Sequence, residues 1–355
     1  MPTVRKVLAV AFSALLVACT GGEGIDPPAA TTTTETTSPS TPVTTTTVTT
    51  IPTTTTTTVP AKQTLVIQGT GDVNLDPTYI PNLGANGYDF AWAGVADLFR
   101  ADDLTVVNLE CAPSDLGVAE PKEFVFRCPV ESLSSLATAG VEVANMANNH
   151  SGDYGKEALV DGRANLIEVG VAPVGAGADV AEAGEPALFD LGGWRVAVVG
   201  FGGVYPTTDW FAAEDRAGMR NGDDIESMVE AVRAADELAD IVVVAIHWGV
   251  ELDTQPRPDD VEIANALVEA GADVIFGHHA HRLQPMETVD GAAVFWGLGN
   301  FVWPRYSTAG STTGVARVVV SPDGSIESCL IPAFIEVSGQ PVLTGPAGCG
   351  PSAEG

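Results

Sequence analysis

The chain has 355 residues, and its 46 acidic side chains against 16 basic ones give a formal net charge of −30. That balance argues against nucleic-acid binding and against docking on anionic lipid through basic patches. It suits an exported soluble domain, and it means that a polyanionic substrate would have to be met by metal ions or a few arginines.

Arg5 and Lys6 precede a short apolar run over residues 7–18. The run is shorter than the roughly 20 residues a membrane span needs, so residues 1–19 read as an export signal. It ends in Leu16-Val17-Ala18-Cys19, which resembles the lipobox of bacterial lipoproteins, where the cysteine is acylated. An ordinary signal peptide is the alternative. Residues 20–62 read as a linker. Nineteen of the 28 residues 31–58 are Thr, with Pro39, Pro42 and Pro52 among them, so the segment has too little apolar area to offset its ordering entropy. As flexible coil about 40 residues reach on the order of 35 Å, enough for a stalk that holds a domain off the membrane.

The folded part is expected over 63–320, with 321–355 as a C-terminal extension. Residues 64–68 read as a strand ending at Gly69, followed by a helix at 90–100 and a strand at 104–108. A helix at 131–139 and a strand at 141–145 come next, then a helix at 155–169 and a strand at 195–201. The helix at 224–239 places Ile225, Met228, Val229 and Val232 at helical spacing. The β-branched run 240–246 reads as an interior strand. A helix at 259–270 and strands at 273–276, 293–296 and 314–320 complete the reading. The alternation is that of a layered α/β fold.

Four cysteines follow Cys19: Cys111, Cys128, Cys329 and Cys349. An even number in an exported domain points to two disulfides. Three pairings are possible; Cys111–Cys128 with Cys329–Cys349 closes two short loops and is preferred, with metal ligation as the rival.

All five histidines fall in three strings: His150 in Ala-Asn-Asn-His, His247 in Ile-His-Trp-Gly-Val-Glu, and His278, His279 and His281 in Gly-His-His-Ala-His. Imidazole is the commonest metal ligand. These strings, with Gly71-Asp72-Val73-Asn74 and Asn108-Leu109-Glu110, lie at carboxyl ends of expected strands, where open α/β sheets place ligands. In an extended segment residues i and i+2 share a side, so His279 and His281 are expected to face one site and His278 to be structural. Trp248 and Trp303 read as packing rather than substrate platforms.

Taken together, these strings resemble the bacterial capsule-synthesis protein family (CapA, also called PGA_cap), itself related to the calcineurin-like metallophosphatases. The matching strings also include Lys122-Glu123-Phe124-Val125-Phe126-Arg127, Asp153-Tyr154-Gly155, Ala270-Gly271-Ala272-Asp273 and Leu298-Gly299-Asn300-Phe301-Val302, in family order over about residues 64–303. The resemblance implies a four-layer α/β/β/α sandwich of the metallophosphatase-like type, with one or two divalent ions (Mn, Fe or Zn) in a cleft. Carried over, Asp72, Asn149, His247, His279 and His281 would be ligands, and Glu110 or Asn108 would stand in for a bridging aspartate that this chain lacks. Asn74 occupies the place of a first-motif histidine. Asn74, Asn108, Glu251 and Asn300 would support the ligands, with Glu251 holding His247. His150 would protonate a leaving group or stabilise the transition state. Arg127 would clamp a carboxylate or phosphate, or else form a surface ion pair.

The signal segment and lipobox lead to the expectation of an extracytoplasmic, lipid-anchored protein, and the resemblance implies one of capsule or poly-γ-glutamate synthesis. It would be a metal-dependent hydrolase of a phosphoester or amide, or alternatively a non-catalytic factor that binds or exports polymer. The expected partners are an anionic cell-surface polymer or its precursor, the membrane, and capsule-synthesis membrane proteins.

Overall fold

The computed structural model describes residues 60–349. The expected signal 1–19 with Cys19, the linker as far as residue 59 and residues 350–355 lie outside the described residues.

The first strands, β1 (Leu65–Val73), β2 (Leu104–Leu109), β3 (Val143–Asn145) and β4 (Ala172–Val174), are parallel neighbours. Next come β5 (Ala176–Gly177), the antiparallel pair β6 (Ala187–Leu191) and β7 (Trp194–Gly202), and β8 (Gly218–Met219). The chain continues through β9 (Ile241–His247), β10 (Val274–His278), β11 (Met286–Val289) and β12 (Ala292–Phe295). It closes with β13 (Asn300–Val302), β14 (Thr312–Val320), β15 (Ile326–Val337) and β16 (Gln340–Leu343). The first sheet has the order β16-β15-β14-β1-β2-β3-β4, with β13 also on β1; the second is β11-β12-β10-β9-β7-β6, and β5 pairs β8.

The side chains sort into three apolar layers. Leu65, Ile67, Leu104, Val106, Val196, Val243 and Phe276 fill the space between the sheets. Helices Val130–Ala139 and Gly155–Glu168 cover the first sheet through Leu133, Leu136, Leu159 and Leu166. Helices Ile225–Asp236 and Pro258–Glu269 cover the second through Met228, Val232, Ile263 and Leu267. The fold is therefore the expected four-layer α/β/β/α sandwich.

Strand periodicity explains where the site lies. In β9, Ile241, Val243 and Ala245 face the inter-sheet core, whereas Val242, Val244 and Ile246 face the helices. His247 continues the inward series by parity. The same count carries β2 from Leu104 and Val106 to Asn108 and Glu110, β3 from Val143 to Asn145, and β10 from Val274 and Phe276 to His278. Each strand is apolar inward along its length and turns polar at its carboxyl end.

Two expectations change. β1 does not stop at Gly69 but runs to Val73, so Asp72 lies inside a strand rather than on a turn after it. A register irregularity between Gly69 and Asp72 switches the inward parity, which brings Asp72 to the cleft side while Val73 packs outward. Gly71 is needed there, because a Cβ would meet Gly299 O at 2.0 Å. Second, the boundary at residue 320 falls inside the first sheet. β14 pairs along its whole length with β15, and β15 with β16. Pro332 within the run masked β15 as a strand in the sequence.

The helix expected at 90–100 is a 3-10 turn, Tyr88–Trp92, and a single turn, Ala96–Phe99. Gly94 between them packs on β16, where a Cβ would lie 2.5 Å from Pro341 O. Other element ends shift by a residue or a few. The disulfides are Cys111–Cys128 and Cys329–Cys349, with Cα–Cα separations of 5.6 Å each. The first pins the chain immediately after Glu110. Among the described residues no helix is long and apolar enough to cross a membrane.

Candidate metal centre

The first sheet brings oxygen donors to the cleft. Asn108 is their hub: its Nδ2 donates to Asp72 Oδ1 at 2.9 Å and lies 3.1 Å from His247 Nδ1. Its Oδ1 accepts from Asn145 and Asn148 at 3.1 and 3.3 Å. Glu110 is fully buried, yet neither carboxylate oxygen has a hydrogen-bond partner. Asn74 Oδ1 accepts from the amide of Asp76, so Asn74 shapes the turn after β1.

The second sheet brings imidazoles. His247 Nε2 lies 2.8 Å from Asn149 Oδ1 and 3.6 Å from Glu110 Oε1. His278 sets its ring nitrogens against the carbonyls of Thr70 and Ile246, so it ties the two sheets together. His279 and His281 do reach one site, but not by strand alternation. β10 ends at His278, and the two residues have φ of 88° and 51°. Left-handed backbone, uncommon for a non-glycine residue, turns both rings toward the cleft and leaves their centroids 5.9 Å apart. His281 Nδ1 lies 2.8 Å from Asn300 Oδ1, and Asn300 Nδ2 donates to Gly310 O. Glu251 does not orient His247. It is exposed and groups with His279 and His281 instead, and Asn108 lies against the inner nitrogen of His247.

His150 is held as a unit with three residues to which the sequence assigns no role, Asp153, Phe126 and Lys122. Its Nδ1 lies 2.7 Å from Asp153 Oδ2, and the ring stacks on Phe126 at 4.2 Å. Asp153 also accepts from Phe126 N and Lys122 Nζ, both at 2.6 Å. Lys122 Nζ donates as well to Asn149 O. His150 Nε2 then faces Glu110 Oε1 at 4.0 Å. The i,i+3 spacing of His150 and Asp153 was a signal in the sequence; the reach of Lys122 across 31 residues was not. Arg127 is placed elsewhere. Its guanidinium donates to the carbonyls of Ser114 and Leu116 and stacks on Tyr154 at 3.7 Å, so it braces a loop instead of clamping a substrate. Trp248 is packing: it stacks on Trp296 and donates to its carbonyl. Trp303 lines the cavity beside His281, 4.8 Å between ring centroids.

The charges within the cleft are unbalanced. Burial pushes Glu110 well above the usual carboxylate range, and Asp72 adds to it. Burial would raise Asp72 too, but His281 and Asn108 hold it lowered. His281 resists burial and is held up to about 9 by Glu110 and Asp72. Burial and then His279 push His247 well below the imidazole range; burial and then His281 bring His279 to about 4. Burial lowers His150, with Asp153 working against it.

Asp72 Oδ2, both oxygens of Glu110 and His279 Nδ1 are buried without hydrogen bonds. Asp72 Oδ2 is nevertheless at ion-pair distance, 3.1 Å, from His281 Nδ1, which also lies 2.8 Å from Asn300 Oδ1, so Glu110 is the carboxylate left without any hydrogen-bond partner. Orphaned buried carboxylates are costly unless a cation completes them. The donors fall into overlapping groups: Glu110 with His247 and His279, Asp72 with Glu110 and His281, and Glu251 with His279 and His281. Within each, ligand atoms lie within 4.8 Å of one another. Glu110 belongs to two of these groups. The site is compatible with a divalent metal, and its carboxylates and imidazoles suit a transition ion.

A layered α/β sandwich with a histidine- and carboxylate-lined cleft at its strand ends defines a candidate metalloprotein. The sequence places it more closely. The family described as bacterial capsule synthesis protein PGA_cap matches residues 66–305, and the chain belongs to that family. The PGA biosynthesis protein CapA of Bacillus subtilis (strain 168) is 31% identical over 243 residues, covering 67% of this chain and 63% of that protein. The capsule biosynthesis protein CapA of Bacillus anthracis is 32% identical over 218 residues, covering 60% of this chain and 53% of that one. The match thus spans less than two thirds of either relative. A Staphylococcus aureus crystal structure, described as a candidate 5'-nucleotidase with α-ketoglutarate, overlays at 17% identity and a TM-score of 0.47. It covers 79% of this chain and 54% of that one, a likeness too distant to assign any residue a role.

Proposed function

We propose that the domain is a metal-dependent hydrolase acting in the synthesis of a capsule or related cell-envelope polymer, with poly-γ-glutamate the polymer its family implies. The observation that carries the reading is Glu110, a fully buried carboxylate with no hydrogen bond, between the imidazoles of His247, His279 and His281. Asp72, Glu110, Asn149, His247, His279 and His281 would hold one or two ions, with Glu110 shared. A bound divalent ion supplies Lewis acidity and a water activated for attack near neutral pH. His150, whose Nδ1 lies 2.7 Å from Asp153 Oδ2, would move a proton at Nε2 toward the departing group. Asn108 and Asn300 keep His247 and His281 turned into the cleft. Acylation of Cys19 and the Thr-rich linker would hold the domain at the outer face of the membrane, beside its polymer.

The rival reading, a polymer-holding factor built on metal and arginine, would need an arginine other than Arg127, which lies outside the cavity. Elemental analysis of the purified chain beside a His279→Ala/His281→Ala variant tests the site. Stoichiometric metal that disappears in the variant, with turnover of a phosphoester or γ-glutamyl substrate, is the expected result. No metal after replenishment with Mn or Zn overturns the hydrolase reading. Metal without turnover on either substrate class leaves the polymer-holding factor ahead.

A further inference from the structure

The cavity beside the metal centre, about 290 Å³, reaches from His150 and His281 out to Arg282. Its floor is aromatic: Tyr79, Phe126 and Trp303 pack together with ring centroids 4.5 to 5.8 Å apart, and Tyr306 extends this surface, 70% exposed. Among the residues lining this cavity Arg282 is the sole arginine or lysine and Glu251 the sole carboxylate, and no ion pair joins them.

Arg282 is one of six arginines among the described residues that bond no carboxylate, and the one of them that lines this cavity. Arg100, Arg163, Arg195, Arg216 and Arg257 each bond a carboxylate. Half-buried Arg282 makes one hydrogen bond among the described residues, from Nη1 to the carbonyl of His281 at 2.7 Å. That bond fixes the guanidinium to the backbone of a residue in the metal cluster and leaves Nε and Nη2 free. Gly310 packs against it; a Cβ there would lie 3.2 Å from Nη1. An anchored guanidinium with its fork unspent is a receptor for two oxygens of one anionic group.

We propose that Arg282 is the specificity-determining residue of this site. It would hold an anionic oxygen group of the substrate, carboxylate or phosphate, while the adjoining apolar part lies on the aromatic floor. The proposal rests on the hydrolase reading for the word substrate, but the contact itself is a binding contact. It places the selective charge at Arg282, where the sequence had placed it at Arg127.

Calorimetric titration of the metal-loaded full chain with phenylphosphonate and, separately, phenylacetate tests it; the first carries a phosphate-like group, the second a carboxylate. At least one is expected to bind, and Arg282→Ala to weaken that binding about 10- to 100-fold, the worth of charge-assisted hydrogen bonds. Arg282→Lys should fall between, since it keeps charge but loses the fork. Metal content should be unchanged in both variants. The preferred anion tells which group Arg282 takes. Equal affinity in wild type and Arg282→Ala overturns the proposal, as does failure of both anions to bind the wild type. Arg282-dependent binding without turnover of any substrate would sink the hydrolase reading and leave the anion site standing.

Discussion

The two sheets meet at one cleft but bring different chemistry to it. The first contributes oxygen donors, Asp72, Asn108, Glu110 and, just past β3, Asn149. The second contributes nitrogen donors, His247, His279 and His281. Neither set is satisfied within its own sheet: Glu110 has no hydrogen-bond partner, nor does His279 Nδ1. A cation between them would join the sheets as well as serve chemistry, so binding and stability should be coupled across the inter-sheet core.

The largest test of that contrast is metal removal. If the ion completes both sheets, chelation should abolish turnover and lower Tm by about 10 °C, the effect of losing a ligand held at about a thousandfold over its Kd. An unchanged melting curve would mean that the sheets are joined without it. Next is Asp153→Asn, which alters the support of His150 and reaches a proposed ligand only indirectly, through Lys122, which also donates to the carbonyl of Asn149. Turnover should fall by about 10²- to 10⁴-fold with metal content kept, as expected for a lost proton-transfer group; loss of metal as well would mean that the two functions are not separable. A smaller effect is expected from Asn108→Ala, at the bridge between the two donor sets. Metal affinity should drop about 10- to 100-fold by equilibrium titration, as for other groups that orient a ligand.

The smallest effect separates a site from a mere buried charge. Asp102, before β2, also has an oxygen without a partner, but it lies far along the sheet from the imidazoles. Burial pushes its carboxyl up to about 8, although Thr105 donates to it at 2.7 Å. A carboxyl with its folded-state value raised favours the folded state when protonated. That contribution is whole below about 3.8 and is lost as pH rises toward about 8. Asp102→Asn should therefore raise Tm more at about pH 8 than at about pH 4. No difference between the two would show that water reaches Asp102 and that burial there is weaker than the structure implies.

Much of the fold and part of the site were legible in the sequence because both rest on local rules. The continuous apolar run of β9 announced a strand buried on both faces, and parity along it decides that His247 points inward. Histidines gathered at strand ends marked the cleft, and cysteines at short separations marked both disulfides. The residues that departed from expectation depend on contacts distant in the chain. Asp72 reaches the cleft through a register irregularity set by β2 and β13. His279 and His281 converge through left-handed backbone. Lys122 meets Asp153 across a loop, and Arg127 is drawn away by carbonyls that no periodicity foretells. β15 was hidden by Pro332 and became a strand because β14 pairs with it.

By itself the sequence determined the layers, the strand ends where chemistry collects, and which residue types collect there, since alternation and composition act over a few neighbours. Only the tertiary structure decided which donors share an ion, which arginine faces the cavity, and which carboxylate is left without a partner. Those follow from packing two sheets face to face, and distances across that interface are set by the whole core rather than by any stretch of chain.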